Sequence, residues 1–171
     1  VKQLLDVGRV AGGSSPRFES CAVGPIVEAA AAQVRTATRT PVVITVTADA
    51  DARVRADPDL LLQVVLNLVT NAVHATEARG AGGRVTVRCE GVERSPGGRS
   101  VRLTVEDSGR GARAGELDAI FSHLMPHGPG PRSARNPGLG LSLVQAEVVR
   151  LGGHARFGDL EERHRLSVQW G

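Results

Sequence analysis

Two hydrophobic periods run along this chain, and the switches between them mark its elements. From Pro25 to Arg39 the run PIVEAAAAQVRTATR starts on a proline and continues with strong helix formers, which predicts a first helix. PVVITVTADA and ARVRA instead alternate and are rich in β-branched residues, predicting two short strands paired with each other around Asp49–Asp51. Asp57-Pro58 supplies an N-cap and a first-turn proline for the strongest helix, which should run to about Ala78 and close at Gly80. RVTVRCEGVE and SVRLTVED then read as strands joined through RSPGGR into a hairpin. A loop (SGRGARAG), a short helix (ELDAIF) and a long loop over 122–137, with four prolines and two glycines, come next. GLGLSLVQAEVVRLGG is a helix bounded by glycines, and HARFGDL and HRLSVQW close the chain as strands. Helices and antiparallel strands are grouped without a regular βαβ alternation, which predicts an α+β sandwich: one sheet with helices on one face.

Composition narrows this picture without changing it. At 171 residues and 41% hydrophobic, the chain suffices for one well-buried domain. The opening VKQLLDVGRVAGG has the spacing of a helix end and SSPRFES reads as a linker, so residues 1–19 are set apart from a domain over 20–171. The chain starts at Val1 without an initiator methionine or a signal-like segment, and is expected to be a piece of a longer protein. The longest apolar run, 60–76, is broken by Gln63, Asn67, Asn71 and His74 and is too polar to span a bilayer, so no membrane insertion is expected. A net charge of +3 is spread among interleaved acids and only 2% of residues are aromatic, which argues against nucleic acid as a partner. Cys21 and Cys89 lack metal-ligand spacing and are expected to be reduced packing residues.

Three stretches could carry chemistry. The helix over 57–78 has no charged residue between Leu60 and Thr76, yet Gln63, Asn67, Asn71 and His74 fall within an arc of about 80°. Buried amides are costly unless satisfied. The stripe therefore either bonds neighbouring backbone at a wet edge or helps to hold a hard cation such as Mg²⁺, whose ligands are oxygens, water and substrate phosphates. In VEDSGRGA a strand ends in Asp107 and is followed by Gly109 and Gly111, which puts a carboxylate at a turn open to a flat ligand. Such a carboxylate can accept a hydrogen bond from an exocyclic amine, although Asp-Ser-Gly is also ordinary turn chemistry. Gly138 and Gly140 begin a helix whose free N–H groups attract anions, or they permit close packing. Neither a Walker loop nor a Rossmann fingerprint fits.

In this order and spacing, DPDLLLQVVLNLVTNAVHAT, VEDSGRGA, LDAIF and PGLGLSLVQAEVVRLGGHARF closely resemble the ATP-binding domain of sensor histidine kinases. That domain belongs to a superfamily shared with gyrase, heat-shock chaperone ATPases and mismatch-repair proteins. The resemblance covers roughly residues 20–171 and implies the Bergerat fold, a two-layer sandwich with a mixed, mostly antiparallel sheet. It implies ATP and Mg²⁺ as ligands, with Asn71 on the metal and Asn67 near the phosphates. His74 stands where many relatives carry a phosphate-reaching lysine, implying a weaker or pH-dependent contact. Asp107 would receive the adenine amine, with Gly109 and Gly111 shaping the base pocket. Phe121 matches the phenylalanine before the ATP lid, and Gly138, Leu139 and Gly140 match the glycine box that ends it. The sequence departs from the family in the lid and at the pocket rim. Asn136-Pro137 replaces Gly-Thr, Leu124 replaces an aromatic residue, and Arg163-His164 replaces a Gly-Thr pair.

The resemblance further implies a cytoplasmic protein-histidine kinase, with any membrane anchor elsewhere in the parent protein. Its partners would be its own upstream dimerisation and phosphoacceptor domain, of which residues 1–12 look like the helix tail, and a response-regulator receiver domain. None of the five histidines sits in a phosphoacceptor-like context, so the accepting histidine is expected outside this chain and the fragment alone to show little turnover. Two alternatives stay open: a degenerate-lid pseudokinase or nucleotide-sensing interaction module, motivated by the altered lid, and an anti-sigma-type serine kinase, against which the helix tail argues.

Overall fold

The computed structural model describes residues 16–38, 40–80, 82–94, 98–109, 144, 148–160 and 163–170. Strand β1 (Glu19–Ala22) leads directly into helix α1 (Val23–Ala37), followed by β2 (Val43–Ala48) and β3 (Arg53–Ala56). Helix α2 (Pro58–Glu77) precedes the hairpin β4 (Arg84–Arg94) and β5 (Gly98–Asp107), and β6 (Gly153–Leu160) and β7 (Arg163–Trp170) close the chain. Five strands form the main sheet in the order β2-β4-β5-β7-β6. Only β2 and β4 run parallel; every other neighbouring pair in it is antiparallel. The helices pack on one face of this sheet, as the α+β reading predicts.

Three expectations are corrected. The strands on either side of Asp49–Asp51 do not pair with each other: β2 joins the main sheet beside β4, whereas β3 pairs antiparallel with β1 in a separate two-stranded sheet. A parallel neighbour demands a long crossover, and β3 and α2 lie within it. The expected linker also ends early, because Glu19 and Ser20 already belong to β1, in register with Ala56 and Arg55. Helix α1 starts at Val23, two positions before the expected proline, which leaves Pro25 in the first turn where no intrahelical N–H bond is lost. The proposed helix at residues 1–12, the short helix ELDAIF and the loop over 122–137 lie outside the described residues.

The core is built from small aliphatic side chains between the helices and the sheet. Val27, Ala30 and Ala31 of α1 and Leu61, Val64, Val65, Leu68 and Val69 of α2 are buried against Val85 and Val87 of β4 and Leu103 of β5. Trp170, at the end of β7, is the largest fully buried side chain among the described residues. Val144 and Val148, on the described part of the helix that precedes β6, join the same cluster. Each fully buried side chain of this size contributes about 1.5–3 kcal/mol of transfer free energy, so the α2 face alone is a major source of stability.

Candidate nucleotide site

Helix α2 carries the amide stripe and is anchored at its start by Asp57. One carboxylate oxygen, Oδ1, accepts from the N–H groups of Asp59 (3.0 Å) and Leu60 (3.2 Å), and the other accepts from Arg17 N (2.7 Å). Partial burial pushes this carboxyl up, but the three backbone donors and the charge of Arg17 outweigh it and hold its pKa below the usual value. The helix ends at Ala78, and Gly80 follows at φ 121°, a left-handed conformation that suits glycine.

Along the stripe the environments differ. Gln63 Nε2 donates weakly to Asn67 Oδ1 at 3.4 Å, so the first two amides partly satisfy each other. Asn71, one turn on, has a buried Nδ2 with no hydrogen-bond partner among the described residues. An orphaned buried amide costs roughly 1–3 kcal/mol, a cost that a polar ligand at this point removes. His74 lies about 60° around the helix from Asn71. It is exposed and borders a groove of about 420 Å³ between α1 and α2, together with Gln33, Leu66, Thr70 and Glu77. The stripe therefore has an inner end at Asn71 and an outer edge at His74.

Asp107 is the last residue of β5, half-buried, in register with Val85. Its Oδ1 accepts from Gly109 N at 2.8 Å, which folds the chain into a turn. Gly109 is pressed against α2: a Cβ there would lie 2.5 Å from both the carbonyl carbon and the oxygen of Ala75. Ala75 stands one helical turn after Asn71, so the glycine contact brings the Asp107 turn beside the amide stripe. Nothing in the sequence pattern singles out Arg79, yet its Nη1 donates to the carbonyl of Ser108 at 3.1 Å. Only the tertiary structure joins these two residues. Gly111, Phe121, Gly138, Leu139 and Gly140 lie outside the described residues. Among the described residues no group of three or more His, Cys, Asp or Glu side chains could by itself hold a metal ion.

Residues 56–168 match the family described as histidine kinase-, DNA gyrase B- and HSP90-like ATPases. The chain belongs to that family. Within this ATPase family it is similar to the sensor histidine kinase ZraS of Salmonella typhi, 36% identical over 116 residues, which are 68% of this chain and 22% of ZraS. It is also similar to the sensor histidine kinase AruS of Pseudomonas aeruginosa, 38% identical over 100 residues, 58% of this chain and 10% of that protein. The ATPase domain thus spans about a fifth or less of the length of these curated relatives. In fold it matches the mycobacterial sensor histidine kinase MprB, with a TM-score of 0.70 and 23% identity over 90% of this chain and 97% of that one. The catalytic domain of histidine kinase ThkA matches with a TM-score of 0.72 and 22% identity, covering 90% of this chain and 95% of that one. These likenesses identify an ATP-binding domain of the type found in sensor histidine kinases. Among the described residues no helix is long and apolar enough to cross a membrane.

Proposed function

We propose that this domain binds Mg-ATP between α2 and the turn after β5 and presents the γ-phosphate to a histidine outside this chain. The observation that carries the reading is the orphaned amide of Asn71 one turn from Ala75, against which Gly109 seats the Asp107 turn. Asp107 accepts the adenine amine, and by the family resemblance Gly109 and Gly111 belong to the base pocket. Asn67 and, at the outer edge of the stripe, His74 lie toward the phosphates. By the family resemblance, Phe121, Gly138, Leu139 and Gly140 also belong to the nucleotide site.

The donor set fits Mg²⁺. Asn71 offers a neutral amide oxygen, and this ion is satisfied by one or two protein oxygens with waters and substrate phosphates. When bound, the ion neutralises charge on the transferring phosphoryl group; the chain's own part is positioning. Its partners are then an upstream dimerisation and phosphoacceptor domain and a receiver domain, in the cytoplasm. The residues ahead of β1 are, in this reading, the end of the dimerisation helix and its linker.

Titration with a fluorescent ATP analogue, with and without Mg²⁺, tests the site. We expect saturable binding in the micromolar range, as is usual for enzyme substrates, with the Mg²⁺ dependence lost in Asn71→Ala. Absence of saturable binding at tens of micromolar would remove the reading. Phosphotransfer is tested on the parent protein with γ-labelled ATP: an acid-labile label on a histidine is expected, and nucleotide binding without labelling would make it a pseudokinase.

A further inference from the structure

Ser108 has every polar group engaged. Its N–H donates to Arg84 O (3.1 Å), its hydroxyl oxygen accepts from Arg84 N (2.9 Å), and its carbonyl accepts from Arg79 Nη1 (3.1 Å). A serine in an ordinary turn uses its hydroxyl locally. This one reaches across to the first residue of β4, while Arg79 reaches over from the turn that ends α2.

The two contacts act in opposite directions on the neighbouring carboxylate. On one side Gly109 abuts the Ala75 backbone, so the turn cannot move closer to α2. On the other, the Arg79 guanidinium holds the Ser108 carbonyl, so the turn cannot swing away from it. A carboxylate meant to meet a single amine tolerates little displacement, because useful N–H···O distances span only about 2.7–3.2 Å. Adenine presents an amine where guanine presents a carbonyl oxygen. A carboxylate held in place therefore accepts from the one and repels the other, and a loosened one does neither well.

We propose that Arg79 and Ser108 are positioning residues that hold Asp107 in register with α2 and thereby set the domain's preference for adenine over guanine nucleotides. This rests on the assignment of Asp107 to the adenine amine made above. Neither residue touches the nucleotide in this scheme; both act through the turn.

The test displaces a fluorescent ATP analogue from the 171-residue chain with ATP or with GTP. In Arg79→Ala the affinity for ATP should fall about three- to tenfold, the effect of one lost hydrogen bond, while GTP is little changed, so the ATP-over-GTP preference shrinks by that factor. Arg79→Lys, which can still donate to the carbonyl, should recover part of the loss, and Ser108→Ala should behave like Arg79→Ala. Arg79 is exposed, so the thermal midpoint of its variants should stay within about 2 °C of the parent. An unchanged ATP-over-GTP preference in Arg79→Ala, in a parent that binds ATP, overturns the proposal alone. An equal fall for both nucleotides also overturns it, because a loss of charge or of fold would act on both. If the parent itself shows no saturable ATP binding, the adenine assignment fails and this proposal with it.

Discussion

Asp107 and Asn71 face different physical problems. The carboxylate lies half-buried at a strand end, with one oxygen already bonded to Gly109 N, whereas Asn71 keeps a buried donor with no acceptor among the described residues. The first is preorganised for a ligand; the second is incomplete without one. Asp107→Asn replaces an acceptor oxygen with a donor and removes the charge while keeping the shape. Losing a charged hydrogen bond of about 1.5–3 kcal/mol should weaken ATP binding roughly 10- to 150-fold, with the unfolding midpoint nearly unchanged. Calorimetric titration of the variant checks this, and unaltered affinity would relocate the base site. Asp107, Asn67 and Asn71 were legible as candidates because their spacing is written in the chain. Arg79 and Ser108 were not, because a bond between residues so far apart in sequence leaves no periodic trace.

At the scale of elements, α2 was the most legible piece, since Asp57-Pro58 carries its own start signal and the cap forms as expected. Removing the cap in Asp57→Ala should cost about 1 kcal/mol, the usual value for such a side chain, measurable by urea denaturation at neutral pH. The cost should depend on pH with a definite sign. Asp57 has a folded pKa below its ordinary 3.8, so its contribution is fully present above that value and is lost as pH falls through the lower, folded one. The difference between parent and variant should therefore shrink in acid; a gap that persists below both values would assign the effect to packing. The pairing of β2 and β3 was not legible. Alternation around a turn is the same whether two strands form a hairpin or diverge, and here β4 and β1 supply the partners.

Over the whole molecule, one valine- and alanine-rich core ties both helices to the sheet. Cys89 sits in it, 2% exposed, and burial, with Asp49 and Glu90 nearby, pushes its thiol up to about 12. Cys21 is buried too: its thiol donates to Ala56 O (3.2 Å), and burial likewise raises its pKa above the usual value. Both should resist a thiol reagent in the native state and react together on global unfolding, so that labelling at increasing urea reports the cooperative transition. Rapid labelling of Cys89 before that transition would show local opening of β4. Because its folded value lies above the ordinary 9.0, Cys89 contributes stability that is complete below pH 9.0 and declines as pH rises toward 12. The sequence by itself determined the types of the described elements other than β1, the cap of α2 and the order of the candidate residues, since propensity, periodicity and local side-chain bonds act over a few positions. Only the tertiary structure decided which strands are neighbours, which amide is left without a partner, and that Gly109 seats the Asp107 turn on α2 while Arg79 ties it down. Those are matters of distance between remote segments, and packing alone fixes them.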